Sequence, residues 1–307
     1  MSATLPRDPT LGRYGRPVIK EPIWKPEIPF YFFTGGLAGA SAGLAALTEL
    51  RGNRELARSA WATAAVAGAA VSPALLIADL GRPARFLHML RLFKVTSPMS
   101  VGSWVLGAFG PVTAIAALDA WAGPLPVPLA TPAKAASAAL GLPLATYTAA
   151  LIANTAVPAW HEARAELPAV FAAGAAASAG AAGMALTPLR AGAPARRLAV
   201  AGAAGELAAV AVMERRLHPR VARAYHEGAA HRLGIAAKVL LATGAGVSAV
   251  AGGRSRPAAI AGAACVTAGA VLERWSVFRA GFQSAADPGA TIEPQRERRE
   301  ALSAAAR

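Results

Sequence analysis

The sequence predicts an all-α integral membrane protein, a bundle of eight transmembrane helices with both termini on the cytoplasmic side. Three observations lead to this class. The composition is 55% apolar and only 16% charged, with a mean hydropathy of +0.40, which lies on the membrane side of ordinary globular usage. The charges gather in short clusters between long uncharged runs. Those runs match the ~30 Å hydrocarbon layer that about 20 helical residues cross.

Five runs carry no charge at all: residues 29–48, 59–78, 95–118, 135–160 and 167–189. Three weaker runs follow, 198–213 interrupted by Glu206, 233–251 with Lys238 near one end, and 257–272 stopping at Glu273. The chain therefore divides into a polar segment 1–28, a membrane domain 29–278 and a polar tail 279–307. Residues 1–28 are basic and proline-rich with no apolar core of a secretory signal, so the first span is expected to stay in the protein. Gly35, Gly39 and Gly43 recur every fourth residue along that span. This is the small-xxx-small pattern that lets helix backbones meet closely in lipid. A glycine-rich nucleotide loop needs a strand before it and a helix after it, and the context supplies no strand. Such small side chains pack into a bundle with little lumen, against a wide channel. No internal repeat and no matched pair of midplane breaks supports a secondary transporter.

The 31 Lys and Arg against 17 Asp and Glu give a net charge of +14. In a soluble chain this would suggest nucleic acid. Sorted by alternate loops, however, 21 basic residues fall on the side of the N-terminus and 9 on the other, with Lys238 unassigned. That asymmetry is the positive-inside pattern, so no nucleic-acid partner is expected and both termini face the cytoplasm of a multi-pass plasma-membrane protein. The lone Cys265 excludes a disulfide framework, a four-thiolate zinc site and a self-contained iron–sulfur cluster. The five histidines, His88, His161, His218, His226 and His231, lie in loops or at span ends. No pair on facing helices offers axial ligands to a haem. Any metal redox centre must then sit in a partner.

A charge in hydrocarbon costs at least about 2.5–3.5 kcal/mol, so intramembrane acids need a reason. Glu206 has two readings: proton exchange with a redox ligand, or a carboxylic acid bonded to a neighbouring helix. Glu273 with Arg274, and Glu214 with Arg215, are expected at helix ends, snorkelling to the interface. Residues 77–100 are the most informative. Asp79 ends a span, Gly81 and Pro83 break the helix, and Arg85, His88, Arg91 and Lys94 recur every third residue among Phe86, Leu87, Leu90, Leu92 and Phe93. This describes an amphipathic segment lying in the interface. Asp79 and Arg82 are candidates for a polar pocket where a quinone head group meets both lipid and a water-soluble partner. In the fourth span Tyr147 offers a hydroxyl to a quinone carbonyl, close to Asn154 and Thr155. A buried tyrosine bonded to a helix carbonyl is the plainer alternative.

Four stretches, 24–43 (WKPEIPFYFFTGGLAGASAG), 79–107 (DLGRPARFLHMLRLFKVTSPMSVGSWVLG), 147–171 (YTAALIANTAVPAWHEARAELPAVF) and 278–296 (FRAGFQSAADPGATIEPQR), resemble the NrfD/PsrC family. These are the membrane subunits of polysulfide reductase, nitrite reductase and related molybdoenzyme complexes, including some formate dehydrogenases. The resemblance implies an anchor without haem or iron–sulfur cluster of its own. It implies a ferredoxin-like 4Fe-4S subunit and a molybdopterin (Mo or W) catalytic subunit as partners, and menaquinone or ubiquinone as the exchangeable redox substrate. Asp79 matches the acid of the family's DLGRP-type turn and Tyr147 a tyrosine of its fourth helix, both associated there with the quinone pocket. The expected site is thus Asp79 and Tyr147 for proton exchange and hydrogen bonding, with Arg82, His88 and Thr155 around the head group. Arg82 is expected to pair with Asp79 and keep it ionised, and His88 to relay protons to water. Glu206 and Glu273, with Glu49, mark the proton path of an alternative reading in which the subunit translocates protons; a purely structural anchor is the other alternative.

Overall fold

The computed structural model describes residues 17–82 and 84–305. The expected polar segment is described only from residue 17, and the helix-breaking role read for Pro83 lies outside the described residues. Every regular element among the described residues is helical. In order these are α1 (Glu27–Leu50), α2 (Arg54–Ala65), a π-helical turn (Val66–Val71), α3 (Ser72–Leu80), α4 (Ala84–Met89), α5 (Pro98–Ala122) and α6 (Val127–Ala153). Then come α7 (Pro158–Glu162), α8 (Leu167–Leu186), α9 (Ala193–Arg216), α10 (Pro219–His226), α11 (Gly228–Val250), α12 (Arg256–Ala286) and α13 (Pro288–Ala305). α2, the π turn and α3 form one continuous run, Arg54–Leu80. Six helices are long and apolar enough to cross a membrane: α1, the α2–α3 run, α5, α6, α8 and α11. α9 and α12 are equally long but carry charges at mid-helix.

Local chemistry explains the ends. Asn53 accepts from the Leu56 amide at 3.2 Å and caps α2, and Ser97 and Ser255 do the same for α5 and α12. Gly81 closes α3 at φ +70°, a left-handed position that glycine takes without penalty. The π turn precedes Pro73, which has no N–H for the carbonyl four residues back; the Ser72 amide bonds Ala67 instead, widening the helix there.

The largest departure from the sequence expectation is the last span. It was expected to stop at Leu272, with Glu273 and Arg274 snorkelling at its end, but α12 continues to Ala286 and buries both side chains at mid-helix. The helix tolerates Arg274 there because α9 supplies Glu206 and α8 the Phe171 carbonyl as its partners. The expected boundary at 278/279 consequently falls inside α12, and part of the tail forms α13.

Two antiparallel pairings organise the bundle. α1 meets α6 with Gly39 against Gly141: a Cβ on Gly39 would lie 2.2 Å from the Gly141 carbonyl oxygen, and one on Gly141 2.5 Å from that of Gly39. α8 meets α9 in the same way, where Gly180 abuts the Ala199 amide and Gly202 the Ala177 amide. α8 also touches α1 and α12, joining the first four long runs to the last four. Short connections lie at one end of the bundle, whereas α4, α7, α10 and α13 all gather at the other, called here the N-terminal face.

The glycines of α1 should therefore differ in importance. Gly39→Ala is expected to lose about 1–3 kcal/mol through overpacking, read as a lower melting temperature of the detergent-solubilised protein. Gly43→Ala, with nothing within 4 Å of the new methyl, should be neutral or gain up to about 1 kcal/mol of helix propensity.

Candidate functional site

At the N-terminal face a small cavity of about 40 Å³ opens between the start of α1, the end of α3, the start of α5 and the end of α6. Asp79 and Tyr147, the two residues expected to form the site, both line it. Asp79 is half-buried at the last turn of α3, and its Oδ1 accepts the Lys25 backbone N–H at 3.1 Å. Tyr147 lies against α5 at Gly102, where an added Cβ would stand 2.0 Å from the ring. The glycine therefore leaves the space that the phenol occupies.

The third polar group, Tyr31, was not expected from sequence. Its ring meets Tyr147 edge-on with centroids 6.3 Å apart, it is 1% exposed, and its hydroxyl has no hydrogen-bond partner. An orphaned phenol in a cavity wall is costly, and a ligand acceptor would satisfy it. Apart from Ser103, whose hydroxyl is bonded to its own helix at the Ser100 carbonyl, the remaining walls are apolar, with Trp24, Leu76, Leu80 and Leu151 beside the adaptable Met89 and Met99.

Arg82, His88 and Thr155 stand outside the cavity. Arg82 is exposed and makes no ion pair with Asp79, so the expected charge pairing is replaced by the Lys25 amide. The reason is geometric: Gly81 turns the chain away from the acid. His88 points from α4 to the outside, and it is the next residue, Met89, that reaches the wall. Thr155 is used locally, donating to the Ile152 carbonyl at 2.7 Å as α6 ends.

Glu206 is bonded to a neighbouring helix, as one of its two readings expects, but its partner there is a cation. Fully buried in α9, it pairs with Arg274 of α12 at 2.6 Å. The guanidinium also donates to the Phe171 carbonyl at 3.2 Å and lies 4.4 Å from the Phe171 ring centroid. Gly174 makes the space, since a Cβ there would meet both charged groups at 2.3 Å. Glu273 is buried close by, with one carboxylate oxygen unpartnered, and Lys238 pairs with Glu214 at 2.7 Å nearer the N-terminal face. Glu49 lies at the opposite end of α1, in a larger cavity of about 560 Å³. There Lys134 bridges it to Asp119, and the Trp61 indole donates to it at 2.8 Å. Its charge is thus already balanced.

Beside the small cavity an aromatic stack ties distant segments together. Trp24 stacks on Trp160 of α7 at 5.4 Å, and Trp160 donates to the Val277 carbonyl at 2.7 Å and rests where Gly281 lacks a side chain. The N-terminal face is then laced by ion pairs to α13 and to Asp287 just before it. Arg298 meets Glu162, His218 meets Glu297, and Arg220 donates to Asp287 at 2.9 Å, a hydrogen bond that raises the Arg220 guanidinium above its ordinary pKa.

A multi-pass helical membrane protein with its polar site at one end of the first four spans is the class these features define. The family model for polysulphide reductase, NrfD, matches residues 18–285, and the chain belongs to that family of membrane subunits of molybdoenzyme complexes. A comparison with curated proteins gave no match.

The buried pair yields a prediction. Glu206→Gln or Arg274→Met alone leaves a desolvated charge and should destabilise the bundle by about 3–5 kcal/mol, whereas Glu206→Leu with Arg274→Met should recover most of that. Thermal unfolding of the three variants in one detergent measures the difference.

Proposed function

We propose that this chain is the quinone- and quinol-interacting subunit of a molybdoenzyme complex in the cell membrane, passing electrons between a ferredoxin-like 4Fe-4S subunit and the quinone pool. The molybdopterin subunit of that complex would carry the substrate chemistry, with formate and polysulfide the first substrates to test. The observation that carries the reading is the meeting of Asp79, Tyr147 and the unpartnered Tyr31 in one cavity, drawn from three separate stretches of sequence. All eight long helices are taken to cross the bilayer with both termini cytoplasmic. α9 and α12 are long enough at 1.5 Å per residue, and Glu206 of one pairs with Arg274 of the other inside the protein.

A quinone head group suits these residues: two phenols face a flat apolar slot, and a carboxylate stands at its edge. A bound quinone would supply two-electron, two-proton chemistry. Tyr147 donates a hydrogen bond to one carbonyl, and the Tyr31 hydroxyl is placed to donate a second. Asp79, half-exposed, exchanges protons between the slot and water. The thioethers of Met89 and Met99 give way to admit the ring, because the slot is small without it.

Asp79→Asn is expected to slow quinol-linked electron transfer in a complex that still assembles; an unchanged rate would remove the acid from proton exchange. Tyr147→Phe should weaken binding of a quinone analogue by about 1–2 kcal/mol. Tyr31→Phe should weaken it similarly while leaving the ligand-free protein as stable or more so, since the lost hydroxyl has no partner there. A passive anchor predicts unchanged dissociation constants for both tyrosine variants. Tagging the chain, extracting it in mild detergent and identifying what accompanies it by mass spectrometry tests the partners: a cysteine-rich ferredoxin-like protein and a large pterin protein are expected.

A further inference from the structure

The segment between α3 and α5 bears four cations, Arg82, Arg85, Arg91 and Lys94, and the sequence holds no Asp or Glu from Leu80 to Leu118. All four are exposed, and none forms an ion pair among the described residues. Between them stand apolar side chains that the protein leaves uncovered: Leu87 is 68% exposed, Leu92 75%, Phe93 59% and Val95 75%.

This strip is nevertheless built, not loose. The Lys94 amide donates to Ser100 Oγ at 3.0 Å, Ser100 Oγ and the Trp104 indole both donate to the Leu92 carbonyl, and Phe93 meets Trp104 edge-on at 6.1 Å. Leu90 packs over Gly107. Exposed cations alternating with exposed apolar groups on an anchored backbone, at the level where α3 ends and α5 begins, match one environment: the headgroup–acyl boundary of a leaflet. An acidic protein surface would satisfy the cations but not the four apolar side chains.

We propose that residues 85–95, with Arg82, form a binding strip for anionic phospholipid headgroups. The phosphates neutralise the cations while Leu87, Leu92, Phe93 and Val95 enter the acyl region. The strip stands on its own geometry and not on the quinone reading, although its Met89 forms one wall of the small cavity.

The test places the full complex in nanodiscs of phosphatidylcholine and phosphatidylglycerol in equimolar mixture, and counts lipids retained on the released complex by native mass spectrometry. Wild type is expected to retain phosphatidylglycerol over phosphatidylcholine. At about fivefold per cation, Arg85→Gln/Arg91→Gln/Lys94→Gln should lose roughly a hundredfold of that preference. An equal charge change elsewhere, Arg215→Gln/Arg254→Gln/Arg299→Gln, should keep it. If the triple variant fails to assemble, Arg91→Gln alone, an exposed side chain, should still show the fivefold loss. Equal retention by strip and control variants overturns the proposal. So does a strip variant that keeps its phosphatidylglycerol but sheds its protein partner. Quinone-analogue binding measured on the same discs is a separate readout, so its failure leaves the lipid result intact.

Discussion

The close approach of α1 and α6 at Gly39 and Gly141 sets the geometry on which the cavity depends. In an antiparallel pair, steps of about one turn on each helix stay opposite each other. Gly39 faces Gly141, Gly35 faces the Leu144 carbonyl, and one turn further Tyr31 faces Tyr147. A methyl group at the crossing would force the backbones apart and carry the two phenols with them. The other side of α1 is fixed by a bond of 2.8 Å between the hydroxyls of Thr34 and Ser72, just after the π turn. From Ser72 two helical turns lead to Asp79. The three polar groups thus owe their positions to a glycine contact, a hydroxyl pair and a proline-widened helix, none of which is itself in the cavity.

The second half of the bundle reaches the same cavity by another route. A buried ion pair is weak as a source of net stability, because desolvation offsets most of its attraction. What the Glu206–Arg274 pair does fix is the rotation and register of α12 against α9 and α8. Two turns beyond Arg274, Gly281 lies under Trp160, and Trp160 stacks on Trp24 in the cavity wall. A charge in the core of one half is connected through a single rigid helix to an aromatic wall beside the other.

Much of this was readable from sequence. The long runs show because charge is expensive in lipid, and Asp79 and Tyr147 show because they stand in motifs. In sequence Tyr31 reads as one more aromatic ring in an apolar stretch, although it lies four and eight residues before Gly35 and Gly39, and therefore on the crossing face. That spacing is the signal that would have found it. Arg82, His88 and Thr155 illustrate the opposite error: nearness in sequence to an important residue says nothing of direction once a glycine or a helix end intervenes. Glu273 and Arg274 were misplaced because a charge-free window stops at the first ionisable residue, whereas the helix stops only where its backbone bonds do. The partner that lets it continue, Glu206, lies far away in sequence.

The surroundings of the internal carboxylates also separate their roles. Proton exchange with a ligand needs an acid that meets both the ligand and water, and that is not already held by a fixed cation. Glu206 fails on both counts, being fully buried and bound to Arg274. Glu49 meets water but is committed to Lys134, in a cavity at the far end of the helix. Glu273 is buried beside the Arg274 pair, away from any opening that the cavity residues line. Asp79 alone among these four joins partial exposure to a cavity wall and has only a backbone N–H for a partner. A neutral amide donor orients the carboxylate without placing a second charge beside it.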